Sequence, residues 1–375
     1  MYLQQLRVQD FRNIVHAELT FDPTLNLITG SNGQGKSNLL EAIGLLSTGR
    51  SFRHAAAGHM RRHNQPWFCL NGQVQHGELL HQIDFIGHEE RNTVRLNGKP
   101  LVSLSALGQV VSAVICTPDS LRLIKGAPVE RRNWIDWVSF QHHRSQATLV
   151  QQYQQALKSR NKLLQRGADS STELDVWEQQ LALMGTSISI NRRLTLQQLQ
   201  PHLACALEAL TLKAARFRLA MQGMIEQHHL PLDETEMVAL HRRLLYNSRP
   251  KDQYSGMTSI GPHREDVLFL LDDLTVARFA SQGEQRRFLL SLKLAEAALL
   301  SESCGGLPLF LLDEPTMELD QEGIARLMAW LAGQGHQLFL ATCHPQHIPW
   351  SGASAAVFAT TTGQFQPVIQ ATTGN

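Results

Sequence analysis

The first part of the chain shows the two-residue period of β-strands. The clearest case is four apolar residues separated by polar ones: Val15, Ala17, Leu19 and Phe21. A shorter apolar segment precedes them at 6–8, and a continuous apolar run follows at 25–29. Because successive side chains of a strand point to opposite faces, this alternation predicts a half-buried hairpin that leads into a buried strand.

A second region with the same period begins near residue 83. Apolar residues alternate with polar ones at 83–85 and again at 94–96, and the dipeptide Asn97-Gly98 follows. Both residues of that dipeptide readily adopt positive φ, so it predicts a tight hairpin turn. We therefore expect an antiparallel lobe in this part of the chain.

After about residue 118 the apolar spacing changes to threes and fours, the period of an amphipathic helix. The residues that show it are Leu174, Trp177, Leu181, Met184 and Ile188, followed by Leu199, Leu203, Leu207 and Leu210. Pro201 lies within the second group and predicts a kink or a restart of the helix. From about residue 255 strands return, with apolar segments at 267–271 and 274–277.

These patterns predict an α/β protein whose main domain is interrupted by a helical insertion. We expect the N-terminal part of the main domain at 1–118, the insertion or arm at 119–254, and the C-terminal part at 255–375. The main domain is expected to contain a mixed sheet with the antiparallel lobe beside it.

A glycine-rich loop between a predicted strand and a predicted helix is the most informative motif. It follows the pattern G-x-x-x-x-G-K-S and consists of Gly30, Ser31, Asn32, Gly33, Gln34, Gly35, Lys36 and Ser37. In such a P-loop, backbone N–H groups and the positive end of the next helix dipole bind phosphate oxygens. We expect Lys36 to reach the β- and γ-phosphates of ATP, and Ser37 to hold Mg²⁺.

The apolar run at 307–312 ends in two carboxylates, Asp313 and Glu314, as a Walker B element does. A buried strand can end in acidic residues for solubility alone, but the P-loop favours a catalytic role. We expect Asp313 to orient Mg²⁺ through its water shell and Glu314 to accept a proton from the attacking water. Together the two motifs predict ATP hydrolysis, with Lys36 and Glu314 as catalytic residues.

Composition places the chain among globular proteins. It has 375 residues, of which 43% are hydrophobic and 18% charged. No apolar run approaches the length of a membrane span and the N-terminus has no signal-peptide pattern, so we expect a cytoplasmic protein without a membrane partner. The five cysteines are scattered and form no C-x-x-C pair, so they support neither a disulfide framework nor a zinc site.

The formal net charge is only +1, but the charges are segregated along the chain. Between residues 119 and 166 nine basic residues stand against three acidic ones, a balance of +6, whereas 301–340 is strongly acidic. Such segregation permits a local phosphate-binding surface on a nearly neutral protein. A basic helical stretch is also a common feature of ordinary solvated surfaces, so both interpretations stay open.

Several of these motifs resemble those of ABC-type ATPases. Ser281–Gln285, which opens a predicted helix, is similar to their signature motif, and 318–320 is similar to their D-loop. Ser281 and Glu284 also form a capping box, which by itself needs no ligand. Within this superfamily the chain resembles the RecF family of recombination mediators. The segments that carry this resemblance are Asp10–Asn13, Gly49–Arg53, Thr117–Asp119, Arg131–Trp137 and Gly261–Arg264.

The resemblance implies an ABC-type ATPase head in which ATP is bound between the P-loop of one subunit and the signature motif of another. It therefore implies an ATP-dependent homodimer, with Ser281 and Gly283 near the γ-phosphate held by the other subunit's P-loop. Arg12 and Asn13 are implied to contact the nucleotide as well. Slow ATP hydrolysis would then act as a switch on a DNA clamp.

For partners, the resemblance implies duplex DNA next to single-strand gaps, with RecR and, through it, RecO and RecA. The implied outcome is assistance to RecA loading in recombinational DNA repair, replication and SOS induction. ATP and Mg²⁺ are the implied cofactors. We expect DNA binding to be salt-sensitive and independent of sequence.

Some positions depart from the RecF pattern. Met317 stands where the D-loop usually has serine, and no Q-loop glutamine occurs at 113–116. Asp313–Thr316 and Thr342–His344 are more similar to ABC transporter ATPases, in which His344 would contact the γ-phosphate; an ordinary structural histidine is the alternative. A transporter ATPase subunit is thus one alternative function. An SMC-like structural DNA tether is another, although the segment 145–212 is short for a coiled-coil arm.

Overall fold

The computed structural model describes residues 1–53, 55–89, 92–101, 107–143, 145–166, 171–228, 233–303, 306–315, 319–350 and 354–368. The chain forms two compact units. Unit 1 comprises the described residues of Met1–Leu121, Cys205–Ala214 and Ser281–Asn375, and unit 2 those of Arg122–Ala204 and Ala215–Ala280.

The elements of both units follow one another in chain order. The strands are β1 (Tyr2–Phe11), β2 (Ile14–Thr20), β3 (Leu25–Thr29), β4 (Phe68–His76), β5 (Leu79–Gly87), β6 (Asn92–Leu96), β7 (Lys99–Pro100), β8 (Ala113–Cys116), β9 (Phe217–Gln222), β10 (Asp266–Leu271), β11 (Leu274–Thr275), β12 (Leu309–Asp313), β13 (Leu338–Thr342), β14 (Ala355–Thr361) and β15 (Gln364–Pro367). The helices are α1 (Lys36–Thr48), α2 (Ala57–Met60), α3 (Leu107–Val110), α4 (Arg122–Lys125), α5 (Pro128–His142), α6 (Gln146–Arg166), α7 (Ser171–Ala209), α8 (Met224–Gln227), α9 (Glu234–Ser255), α10 (Val276–Phe279), α11 (Gln282–Ser303) and α12 (Gln321–Gln334).

Two six-stranded sheets organise unit 1. The antiparallel sheet has the order β2-β1-β4-β5-β6-β7, and the other sheet has the order β15-β14-β3-β13-β12-β8. In this second sheet the pairs from β14 to β8 are parallel, and β15 is an antiparallel edge strand. Parallel strands are buried on both faces, which is why β12 and β13 are continuous apolar runs in the sequence.

Helix α1 lies between the two sheets. Its leucines Leu39 and Leu40 share one apolar core with Phe85 of the antiparallel sheet and Phe339 of the parallel sheet. The opposite face of the parallel sheet packs against α11, α12 and the end of α7. Because β3, β12 and β13 run in the same direction, the loops that follow them meet at one edge, where ligands of open α/β sheets bind.

Unit 2 combines helices with a three-stranded antiparallel sheet of order β11-β10-β9. Helices α6, α7 and α9 pack around Tyr153, Leu181 and Leu245. Trp134 of α5 packs edge-on against Phe269 of β10, with ring centroids 5.8 Å apart.

The predicted hairpins are present. β1 and β2 pair antiparallel, and Ala17, Leu19 and Phe21 are buried as predicted. Val15 is exposed, whereas Ile14 at the start of β2 is fully buried. The turn at Asn97-Gly98 joins β6 to β7 with positive φ at both residues, 50° and 77°.

The apolar stripe from 174 to 209 lies in one continuous helix. Of the kink or restart predicted at Pro201, the restart is therefore wrong and the kink stays a prediction. α7 has 39 residues and passes through Pro201. An interior proline costs about 3 kcal/mol, but each fully buried leucine contributes roughly 1.5–3 kcal/mol. Leu199 and Leu203 are fully buried on either side of the proline, and their packing offsets its effect.

The boundaries of the two units differ from the predicted domain boundaries. Unit 2 begins at Arg122, close to the predicted 119, but it extends to Ala280, beyond the predicted 254. The reason is β9, a strand that the sequence did not reveal, which pairs with β10 and so keeps β10 and β11 in unit 2. The end of α7, from Cys205, belongs to unit 1.

Candidate nucleotide-binding site

The P-loop connects β3 to α1, as the sequence predicted. Two of its glycines have contacts that exclude a side chain. Gly30 has a φ of 150°, and a Cβ atom there would lie 2.5 Å from the Thr360 carbonyl oxygen. Gly35 precedes α1 with a φ of 111°, and a Cβ atom there would lie 2.8 Å from Asn13 Oδ1. The loop can therefore follow this path only with glycine at both positions.

Lys36 is the centre of the site. Its ammonium group donates hydrogen bonds to the carbonyl oxygens of Gly30 (2.8 Å) and Ser31 (3.2 Å) and to Cys343 Sγ (3.0 Å). It also forms an ion pair with Glu314, at 3.1 Å between Nζ and Oε1. Burial alone would lower the pKa of Lys36, but the hydrogen bonds to Cys343 and Glu314 and the charge of Glu314 raise it. Lys36 is thus held as a cation under the P-loop.

Glu314 lies directly after β12 and points to the P-loop. Its backbone is in the left-handed region, with a φ of 51°, while its N–H still donates to the Ala341 carbonyl at 2.8 Å. The carboxylate accepts from Cys343 N (3.2 Å) and Cys343 Sγ (3.1 Å). A non-glycine residue with this φ is strained, and such strain is often found where a side chain is aimed at a functional site.

Cys343 is a site residue that the sequence analysis did not single out. Besides Lys36 and Glu314, its thiol contacts Asn32 of the P-loop, with 2.9 Å between Sγ and Oδ1. It follows β13, the strand beside β12. A signal was present in the sequence, since residues that follow neighbouring parallel strands meet at the same edge.

Asp313 and Ser37 fit a magnesium site. The Ser37 hydroxyl donates a hydrogen bond to the Asp313 carboxylate. The Oδ1 atom of Asp313 is buried and has no hydrogen-bond partner among the described residues. Burial raises the pKa of Asp313, and the neighbouring charge of Glu314 adds to that effect. A buried carboxylate oxygen without a partner suits Mg²⁺, which proteins hold through one or two carboxylates together with phosphate oxygens.

Replacing Asp313 by Asn is therefore expected to stabilise the free protein while removing its response to Mg²⁺. The neutral amide replaces a buried carboxylate whose charged form is disfavoured by burial and by the charge of Glu314, so the free energy of unfolding should rise. Thermal unfolding with and without Mg-ATP measures both effects. An Asn variant that keeps the full Mg²⁺-dependent rise in Tm would contradict the assignment of Asp313.

Arg12 is bound to a buried carboxylate that the sequence analysis overlooked. It donates to both oxygens of Glu41, at 3.0 and 2.7 Å. Glu41 lies on α1, is fully buried and also contacts Ser51 and Arg53. A charged residue in the middle of the apolar run of α1 was the signal, because a buried carboxylate requires cationic partners.

Two contacts support the P-loop and the start of α1, one from Asn13 and one from residues 362–363. Asn38 of α1 donates to Asn13 Oδ1 at 2.8 Å. The Gln34 carbonyl accepts from Gly363 N at 2.8 Å, and its side chain accepts from Thr362 N. Gly33 has open space around the position of a Cβ atom. The predicted contacts of Arg12 and Asn13 with nucleotide stay predictions.

The helix predicted to carry the signature motif is α11. The capping box is present: Ser281 Oγ accepts from Glu284 N at 3.2 Å, and Glu284 Oε2 accepts from Ser281 N at 2.9 Å. Ser281 and Gly283 are exposed, and a Cβ atom at Gly283 would meet no atom within 4 Å. The start of α11 is thus an open surface of unit 1.

His344 follows Cys343 but makes different contacts. Its ring is exposed and stacks on His347, with centroids 5.5 Å apart. Its backbone N–H donates to Thr342 Oγ1 at 3.0 Å. Cys343 is thus the residue of this triplet whose side chain contacts Lys36 and Glu314. Residues 316–318, which include Met317 and the first residue of the predicted D-loop at 318–320, lie outside the described residues.

Part of the basic segment 119–166 is neutralised inside unit 2, so the charge count overestimated the free positive charge. Arg131 forms two hydrogen bonds of 2.8 Å with Asp266, and Arg160 is fully buried between Glu178 and Asp252. Exposed cations of the segment include Lys125, Lys158, Lys162 and Arg166. Arg144 lies outside the described residues.

The segment Gly261–Arg264 packs within unit 2. His263 Nδ1 lies 2.7 Å from the Tyr153 hydroxyl, and its Nε2 lies 3.0 Å from the Thr258 carbonyl. Burial lowers the pKa of His263 to about 4, so the ring is neutral at pH 7. The Arg192 guanidinium donates to the Pro262 carbonyl at 2.7 Å. These contacts give the segment a structural role.

Among the helices of the described residues, none has the length and apolar character needed to cross a membrane. The P-loop, the carboxylates after β12 and the mixed sheet with its antiparallel neighbour together define an ABC-type ATPase head.

Comparison with known proteins agrees with this class of protein and identifies the family within it. The profile of the family described as "RecF/RecN/SMC N terminal domain" matches residues 2–364. The DNA replication and repair protein RecF of Magnetococcus marinus is 48% identical over 372 residues, which cover 97% of each chain. The RecF of Geobacter sulfurreducens is 33% identical, over 98% of this chain and all of the relative. The chain therefore belongs to the RecF family of the RecF/RecN/SMC proteins.

Solved structures give the same result. A structure of the recombination mediator protein RecF-ATP in the RecFOR pathway superposes with a TM-score of 0.85 and 28% identity, covering 98% of this chain and 99% of the other. An Smc head bound to a winged-helix domain of ScpA shares the fold, with a TM-score of 0.56 and 15% identity over 98% of this chain and 97% of the other. Membership in the RecF family argues against the alternative that the chain is an ABC transporter ATPase subunit.

Proposed function

We propose that this protein is an ATP-dependent DNA-binding protein that dimerises on ATP and binds duplex DNA next to single-strand gaps. Its slow ATPase activity acts as a switch that releases the dimer. One observation carries the proposal: the Lys36–Glu314 ion pair and the Asp313–Ser37 pair lie at the same edge of the parallel sheet. RecF relatives with this fold include one solved with ATP.

The chain's own residues have distinct tasks in this site. Lys36 binds the β- and γ-phosphates, exchanging its contact with Glu314 for one with the nucleotide. Glu314, freed from that ion pair, orients a water and accepts its proton. Mg²⁺, held through Ser37 and Asp313, would neutralise phosphate charge. The P-loop N–H groups keep the phosphates oriented.

The open start of α11 supports the dimer. The N-terminus of a long helix attracts anions through its free N–H groups and its dipole. Ser281 and Gly283 are exposed there, and ABC-type heads use this surface to bind a γ-phosphate held by a second subunit. ATP that binds two subunits at once stabilises the dimer by mass action.

The exposed lysines and arginines of unit 2 support DNA binding through phosphates. Such contacts are sensitive to salt and independent of sequence. By analogy with RecF in the RecFOR pathway, we expect RecR, RecO and RecA as partners and the loading of RecA as the outcome. We also expect roles in recombinational repair, replication and SOS induction, and a cytoplasmic location.

Gly283→Asp is expected to separate ATP binding from dimerisation. The side chain has open space in the monomer, and a carboxylate at a helix N-terminus is favourable, so the variant folds normally. In a dimer the same carboxylate would repel the γ-phosphate. Light scattering with Mg-ATP should therefore find a monomer, and a titration with Mg-ATP should show that this monomer still binds ATP. Gly283→Ala is the matched control, and an Asp variant that dimerises normally contradicts the proposed interface.

The DNA function is tested by fluorescence anisotropy of a labelled gapped duplex, with and without Mg-ATP. Tighter, salt-sensitive binding with ATP is expected. Equal binding in both conditions would remove the switch from the proposal, and the absence of DNA binding would overturn it.

A further inference from the structure

We propose that the exposed face of α9 binds single-stranded DNA by stacking bases on Tyr246 and Tyr254, between cations that bind the phosphates. The inference rests on the proposed function in that DNA is the partner, but it assigns a separate site in unit 2 to unpaired bases.

Tyr254 is the most unusual exposed side chain of unit 2. It is 96% exposed, and Tyr246 and Met257 are 59% and 52% exposed. A tyrosine ring can bury a large apolar area and is usually at least partly covered by its own protein. Large apolar side chains exposed close together mark a binding surface.

The two tyrosines lie on one side of α9. Tyr246, Pro250 and Tyr254 follow each other at intervals of four residues, so they form one stripe. With a rise of about 1.5 Å per residue, Tyr246 and Tyr254 are roughly 12 Å apart along the helix. The Arg249 guanidinium covers one face of the Tyr246 ring at 4.6 Å and is itself held by Glu178 and by the half-exposed Asp175. The other face of that ring and both faces of Tyr254 can accept a base.

The charges exposed on α9 from residue 237 onward are cationic, whereas Glu234 and Glu236 are exposed in its first turn and the half-exposed Asp175 is bound to Arg249. On α9, Arg242, Arg243 and Lys251 are exposed. Asp252 is the sole acidic residue between positions 237 and 264, and it is fully buried against Arg160. No exposed carboxylate of this segment therefore opposes a polyanion.

A second row of cations lies on α6, which packs against α9. Lys158, Lys162 and Arg166 are exposed and spaced by four residues, so they too form one stripe. Gln165 of α6 donates to the Gly256 carbonyl at 3.2 Å, which fixes the end of α6 beside the end of α9. Unit 2 thus carries exposed lysines and arginines both on α9 and on the neighbouring helix α6.

Single-stranded DNA is the polyanion that fits both features. Cations alone suit any phosphate backbone, but a duplex keeps its bases stacked inside, where the two rings cannot reach them. Proteins that bind single strands combine a positively charged groove with aromatic rings on which bases stack. A gapped substrate presents such unpaired bases beside its duplex.

The test compares a labelled oligothymidylate with an abasic oligonucleotide of the same length and charge, using the full chain. The double variant Tyr246→Ala/Tyr254→Ala should lower affinity for oligothymidylate about 30-fold or more, because it removes the stacking of two bases. Affinity for the abasic strand and ATP-dependent binding of a blunt duplex should not change. Tyr254→Phe keeps the ring and should retain wild-type affinity. Lys162→Gln should weaken both strands alike.

Equal losses on both strands, or no loss on oligothymidylate, would overturn the proposal. So would a wild-type protein that binds neither strand, in which case the face is better assigned to an acidic protein partner. Because duplex binding is measured separately, loss of the single-strand site and failure of the ATP-dependent clamp give different results.

Discussion

Replacing Glu314 by Gln is expected to lower the rate of ATP hydrolysis by about 10²–10⁴-fold while ATP binding is kept. The amide keeps the size of the side chain and one oxygen that can accept from Cys343 N, which lies 3.2 Å from the carboxylate. It has no basicity with which to take a proton from water. The variant should therefore accumulate the ATP-bound dimer.

Single-turnover hydrolysis and light scattering measure the two parts of this prediction. Glu322→Gln is the matched control, because Glu322 is an exposed carboxylate paired with Arg326 on α12. The control should hydrolyse ATP at the wild-type rate. If Glu314→Gln did so as well, the general base would have to be a different residue.

The parts of the site that the sequence predicted are those in which a motif lies at the end of an apolar strand. The P-loop after β3 and the carboxylates after β12 could be recognised because each combines a local pattern with a buried strand. Parallel strands with a common direction then bring Lys36 and Glu314 within 3.1 Å, although 278 positions separate their numbers in the chain. Local pattern and topology together specified this contact.

The residues that the sequence did not predict are defined by long-range packing. Glu41 has a clear role only once Arg12, Ser51 and Arg53 are seen around it. In the sequence Cys343 was one of five scattered cysteines, and its role became clear only because β13, which it follows, lies beside β12. Similarly, β9 is a short strand whose partner, β10, lies more than 40 residues later in the sequence.

Counting charges along the chain overestimated the free positive charge for a related reason. A count along the chain cannot separate an arginine in solvent from one that neutralises an internal carboxylate. Arg160 is fully buried between Glu178 and Asp252, yet it entered the count in the same way as the exposed Lys162. Three-dimensional pairing decides which charges are available to DNA.

Replacing Lys36 by Ala is expected to abolish detectable ATP binding and with it the ATP-dependent dimer. Lys36 supplies the cation for the β- and γ-phosphates, and its ammonium group also ties the Gly30 and Ser31 carbonyls together. The substitution further leaves Glu314 without its cation. Since Glu314 is largely buried, we expect the free energy of unfolding to fall by about 2 kcal/mol, below the 3–5 kcal/mol typical of fully buried pairs.

Two further variants separate the loss of binding from the loss of stability. Lys36→Arg keeps a cation beside Glu314, so its Tm should stay near the wild-type value, but the planar guanidinium should not replace the ammonium group at the phosphates. The double variant Lys36→Ala/Glu314→Gln should be more stable than Lys36→Ala alone, because it removes the unpaired carboxylate. Isothermal titration with Mg-ATP and thermal unfolding measure these effects. If the double variant were the less stable of the two, the ion pair would not be the source of the lost stability, and the ties to Gly30 and Ser31 would have to account for it.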